Sequence, residues 1–269
     1  AVSGGSVPVV PEDAAVVLVA GASAKLASHE TDALISFASR GGGLMFAVDP
    51  DRETPELLVR LGVGIQGGVA TDQKVMFPFW DRPIPVIRKH GVTEGLMASN
   101  LAPVLAHVAP LSLADPLPTG VKGSSILVTS RRGWVERGGE LMAGAPRFDE
   151  GVDGVGPVDM AVALELRPGS DWVRAGKPPA RVLVVGDSDF LGNHLFSDGP
   201  GNSTLALDSV HWLAGADLRV ASVGARRQKV RRLAISKNEL ETLRWVSLGV
   251  LPVLVGLFGF AVRFGRRGR

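Results

Sequence analysis

Gly186-Asp187-Ser188 and, twenty positions after the serine, Asp208-Ser209-Val210-His211 put a hydroxyl, an imidazole and two carboxylates into one short stretch of chain. Nucleophilic catalysis needs these types: a serine within hydrogen-bond reach of a histidine that an acid orients. Asp187 and Asp189 also form a D-x-D, which can hold a hard cation through oxygen ligands or cap the element that follows a strand by accepting backbone N–H bonds. The capping reading is the simpler one. Asp49 ends an earlier apolar run in the same way. If the runs are parallel strands, Asp49, Asp187, Ser188, Asp189 and Asn193 share a carboxyl edge, where open α/β sheets place ligands. His90, before Gly91-Val92-Thr93, is a further candidate for that edge.

Other chemistries lack their residues. The chain has no cysteine, hence no thiolate nucleophile, thiolate metal site or disulfide framework. It has no G-x-x-x-x-G-K-[ST] to cradle a nucleotide, no G-x-S-x-G elbow and no H-E-x-x-H. No cofactor is expected. Formal net charge is only +2 over 269 residues and the excess basic residues sit near the apolar C-terminal stretch, so nucleic-acid binding is not expected.

The elements that must hold the candidates follow from the apolar pattern. Ala14 to Gly21 is a continuous apolar run, His29 to Arg40 an amphipathic helix stopped by Gly41 to Gly43, and Leu44 to Val48 a second strand ending in Asp49-Pro50. Glu56 to Leu61 reads as a short helix. Prolines at 78, 83, 85, 103, 110, 116 and 118 interrupt the middle, where Ser125 to Thr129 and Asp159 to Leu166 are the clearest strands. Arg181 to Val185 is then a buried strand, GDSDF a tight turn at its end, and Ser203 to Ala214 a helix. Alternating strands and helices predict a mostly parallel, doubly wound sheet.

Trp245 to Val262 carries no charge and lies between Arg244 and Arg263. As a helix it spans roughly 27 Å at about 1.5 Å per residue, near the ~30 Å hydrocarbon core. It reads as a membrane anchor in contact with lipid. Basic residues cluster on both flanks, in Arg226, Arg227, Lys229, Arg231 and Arg232 and in Arg263, Arg266, Arg267 and Arg269, so charge alone gives no orientation. Ser236 and Glu239 have capping-box spacing and could start the helix that enters the membrane. The expected layout is a soluble domain over 1–218, a basic linker and helix start over 219–243, the transmembrane helix over 244–263 and a basic tail over 264–269. The first residue is Ala1, with no apolar leader before the globular part, which raises the expectation of an upstream segment, or of a sister subunit completing the domain.

The GDS and D-x-x-H blocks resemble those of SGNH esterases, but in that family they stand at opposite ends of the domain rather than close together. A wider resemblance runs through residues 16 to 50, SSILVTSRRGW (124 to 134), FDEGVDGVGPVDMAVALE (148 to 165), RVLVVGDSDFLGN (181 to 193), LALDSVHWLAG (205 to 215) and the anchor with its arginine tail. In that order the segments are similar to the GldG family, auxiliary extracytoplasmic subunits of gliding-motility-type ABC transporters. The resemblance implies a flavodoxin-like, glutamine-amidotransferase-like domain held outside the bacterial inner membrane, working beside an ABC permease and a separate ATPase subunit. A shared fold without the cysteine does not bring amidotransferase chemistry.

The expected function is therefore a non-enzymatic, membrane-anchored auxiliary subunit of an ABC transporter. Gly249, Pro252, Gly256 and Gly259, where small residues let another helix approach, are the expected permease contact. The alternatives are an anchored hydrolase using Ser188 and a structural scaffold subunit of another membrane assembly. A pocket at the carboxyl edge favours binding, a Ser188–His211 hydrogen bond the hydrolase, a filled edge the scaffold.

Overall fold

Two parallel apolar runs start the architecture. In the computed structural model, which describes residues 9–76, 78–138, 146–196, 200–215, 234–250 and 252–257, Val16–Ala20 is β1 and Gly43–Ala47 is β2, paired parallel from Val16 opposite Gly43 to Ala20 opposite Ala47. Between them α1 (Ser28–Ser39) begins where the Ala27 N–H donates to Glu30 Oε2 at 2.8 Å. It stops at Gly41, whose φ of +90° is open to glycine at little cost. The chain continues through α2 (Glu56–Arg60), β3 (Val63–Ile65), β4 (Val69–Thr71), β5 (Lys74–Met76), β6 (Val86–Ile87), α3 (Glu94–Ser99), β7 (Leu111–Leu113), β8 (Val121–Val128), β9 (Trp134–Glu136) and β10 (Gly154–Val155). It closes with β11 (Asp159–Leu166), β12 (Ala180–Val185), α4 (Asn193–Phe196), α5 (Pro200–Leu213), β13 (Ala234–Ser236) and α6 (Lys237–Trp245).

The main sheet has eight strands and runs β1-β2-β12-β11, continuing through β7 to β3 and through β8 to β6. Only β1 with β2 and β2 with β12 are parallel; β12 with β11, β11 with β8 and β7, β7 with β3, and β8 with β6 are antiparallel. The smaller sheets, β10-β9-β4 and β13-β5, are antiparallel too. The expected doubly wound, flavodoxin-like or glutamine-amidotransferase-like parallel sheet is thus corrected to a mixed α/β fold with a β-rich, mostly antiparallel sheet. The link from β11 to β12 shows the reason. A parallel return needs a crossover, usually helical, and residues 167–179 form none, so β12 comes back antiparallel beside β11.

Both faces of this sheet are covered, which is why its strands read as unbroken apolar runs. Leu44 and Phe46 of β2, Val182 and Val184 of β12 and Val162 and Leu164 of β11 pack with Leu34 and Phe37 of α1 and Leu57 and Leu58 of α2. The alternate residues Met45, Ala47, Leu183, Val185, Ala161 and Ala163 pack on the other side with Leu96 of α3 and Leu205 and Leu213 of α5. The period of two divides each strand between two cores.

One described helix is long and apolar enough to span a membrane: Glu239–Leu257, with mean hydropathy 1.5 and no buried part. Within it Val246–Val250 is a π-helical turn. Pro252 follows, and a proline has no N–H to give and crowds the carbonyl four residues before it, which widens the preceding turn. Most of the linker, Gly259 and the tail lie outside the described residues, as do the arginines and the lysine of the two basic clusters.

Candidate functional site

Parallel pairing of β2 with β12 brings together residues 139 apart in sequence. Asp49, just beyond β2, accepts the Ser188 backbone N–H at Oδ1 and its hydroxyl at Oδ2, both at 2.9 Å. Gly21, just beyond β1, completes the corner with a φ of +56°, and a Cβ on it would stand 3.1 Å from Ser188 Oγ. The three strands therefore end in one polar corner.

Asp187 points to the other side. Its Oδ2 accepts the Ala106 N–H at 2.8 Å and its Oδ1 the Asp189 N–H at 2.7 Å. The carboxyl is 1% exposed, and burial pushes its pKa up to about 7 although the two backbone bonds oppose that rise. The D-x-D is thus a cap: Asp187 starts the 3-10 turn Asp189–Leu191 and ties it to the loop before β7. Asp189 itself is exposed, and Asn193 is exposed at the start of α4.

The serine and histidine blocks are not brought together as a catalytic set. No hydrogen bond joins Ser188 to His211 among the described residues, and the Ser188 hydroxyl is engaged with Asp49. Asp208 accepts the Gly95 N–H at 3.1 Å, holding the first turn of α3 against α5, and burial raises its pKa. Asp208 therefore serves an interhelical contact.

His90 lies at the opposite end of the sheet from Asp49. Its Nδ1 accepts the Val92 N–H at 3.2 Å, and its ring sits edge-on to Trp212 with centroids 4.9 Å apart. The Trp212 carbonyl accepts from Arg181 at 2.5 Å, at the start of β12, and desolvation lowers the His90 pKa. The expectation that His90 lines the carboxyl edge is corrected: it caps the turn Gly91–Thr93 at the amino edge.

A cleft of about 250 Å³ opens beside Asp49, between the loop after β1 and the loop after β2. Ser23, Lys25, Asp51, Arg52, Glu53 and Thr54 line it with Asp49, and Lys25 Nζ meets Glu53 Oε1 across it at 2.8 Å. Sequence reasoning reached Asp49 but not the loop residues, although both loops follow the carboxyl ends of parallel strands, where ligands gather. It also missed Asn202, fully buried in α5, whose amide bonds both the N–H and the carbonyl of Val104. That clamp fixes α5 on the proline-rich middle. In the apolar helix, Gly249 approaches Trp245, and a Cβ on Gly256 would meet nothing within 4 Å among the described residues.

No family model matches the chain, and no curated protein matches it. Among solved structures it is similar to the mmIFT52 N-terminal domain, with TM-score 0.51 and 13% identity over 76% of this chain and 78% of that one. At that identity the likeness carries the fold alone.

Proposed function

We propose that this chain is a non-enzymatic, membrane-anchored auxiliary subunit of an ABC transporter, fixed in the bacterial inner membrane by its C-terminal helix with the α/β domain on the extracytoplasmic side. The observation that carries the reading is the helix Glu239–Leu257, none of whose described residues is buried against the domain it follows. Such a surface belongs in lipid or against other membrane helices. The ordered resemblance to the GldG family supplies the partners, a multi-spanning permease and a separate ATPase. Gly249, Pro252 and Gly256, with Gly259 beyond the described residues, mark the helix face for the permease.

The carboxyl edge supports a role without chemistry. Asp49, Ser188 and Asp187 spend their polar atoms on each other and on backbone groups, and the cleft beside Asp49 offers a small polar recess for substrate or for an envelope component. The experiment is affinity capture of the full chain from native membranes. Co-capture of a permease and a nucleotide-binding subunit supports the reading; a native complex holding neither removes it.

A further inference from the structure

A second recess, of about 620 Å³, lies away from the carboxyl edge, between the β10-β9-β4 sheet and α6. Arg131, Arg132 and Arg147 line it together with the rings of Trp80, Trp134 and Phe148. Among the described residues none of these arginines makes an ion pair with a carboxylate; Arg132 reaches only the Gln73 side chain, at 3.3 Å. The acidic residues on the lining are Asp72 and Glu241. Asp72 is buried and already accepts from the Lys74 N–H, the Ser130 N–H and the Ser130 hydroxyl. Three exposed guanidinium groups in a concave, aromatic-walled recess are a binding arrangement for a phosphate-bearing anion.

The position selects the source of that anion. Glu241 borders the recess and stands four residues before Trp245, where the uncharged stretch begins. At about 1.5 Å per residue this is about 6 Å above the hydrocarbon, within a headgroup layer of roughly 5 to 7 Å. The lining also carries exposed apolar side chains: Phe148 is 44% exposed and Val155 82%. Apolar and aromatic groups beside arginines match a membrane interface, with the rings at headgroup depth and the cations on the phosphates.

We propose that this recess binds the phosphate headgroup of an anionic phospholipid in the leaflet that the anchor enters, holding the domain down on the bilayer. The proposal rests on the reading of Glu239–Leu257 as a membrane anchor. Arg131, Arg132 and Arg147 contact the phosphate, and Phe148 and Val155 enter the interface.

The test uses the full chain in vesicles of equimolar phosphatidylglycerol and phosphatidylcholine, with native mass spectrometry counting the lipids retained after extraction. Phosphatidylglycerol is expected in excess. The preference should fall about fivefold for each arginine removed, and on the order of a hundredfold in Arg131→Gln/Arg132→Gln/Arg147→Gln. All three side chains are exposed, so the variant should fold, and an unchanged melting temperature verifies it. No lipid preference in the wild type, or the same preference in the triple variant, overturns the proposal. Inorganic phosphate alone protecting the 130–137 amides from hydrogen exchange as well as lipid does would assign the recess to a soluble phosphate compound, and also overturns it. Flotation of the same vesicles after carbonate washing tests the anchor separately: a chain that floats without lipid preference keeps its anchor and loses this site.

Discussion

The carboxyl edge and the arginine recess are both rich in polar groups, yet they treat them in opposite ways. At the edge every carboxylate oxygen of Asp49 and Asp187 has a donor: the two Ser188 groups for one, Ala106 and Asp189 for the other. In the recess three guanidinium groups face solvent with no carboxylate against them among the described residues. The first arrangement is what folding requires of buried polar groups. The second contributes nothing evident to the fold and is free for a partner. In the sequence the D-x-D already read more simply as a cap, whereas Arg131 and Arg132 carried no functional expectation.

The sharpest way to break this contrast is to truncate the edge. Asp187→Ala leaves the Ala106 and Asp189 N–H groups without their acceptor, and the protein should lose about 2 to 5 kcal/mol in denaturant titration. A loss below 0.5 kcal/mol means the carboxyl is not structural. Next comes pH. The folded state holds the Asp187 proton up to about pH 7, whereas the unfolded chain releases it near its ordinary value of 3.8. Folding therefore takes up a proton between these values, so stability declines as pH rises through that window and levels off above it, by a few kcal/mol at most. Asp187→Asn should flatten that decline, as measured by unfolding curves from pH 4 to 8.

A smaller effect is expected at Ser188. Ser188→Ala removes one hydrogen bond to Asp49 and should cost about 1 kcal/mol in unfolding free energy. In an ester-hydrolysis assay on the purified chain, turnover should be at background for wild type and variant alike; activity that vanishes in the variant promotes the hydrolase. The smallest effect belongs to the recess, where Arg131→Gln should change stability by no more than about 0.5 kcal/mol.

Much of the edge was legible in the sequence. Apolar runs ending in Asp49 and in Gly186-Asp187-Ser188 announce strands with polar ends, and the structure puts those ends side by side. Strand direction was not legible. A strand covered on both faces reads as an apolar run whichever way it points, so Asp159–Leu166, antiparallel to β12, β8 and β7, looked like the parallel strands β2 and β12. The partner of Asp187 was hidden for another reason: Ala106 lies 81 residues away in a proline-rich segment with no periodicity. Arg131 and Arg132 were visible as a pair, but only the fold adds Arg147, Trp80 and α6 to them.

The central claim is that this chain acts through contact at its membrane helix and not through chemistry at the sheet edge. The direct measurement is quantitative capture from native membranes of wild type, Gly256→Leu and Ser188→Ala, each checked for membrane insertion. Among the described residues a Cβ at Gly256 meets nothing within 4 Å, so the leucine is aimed at a neighbouring helix. The account predicts that Gly256→Leu inserts but loses permease and ATPase, while Ser188→Ala keeps both. Retention of both partners by Gly256→Leu, or their absence from the wild-type complex, contradicts it.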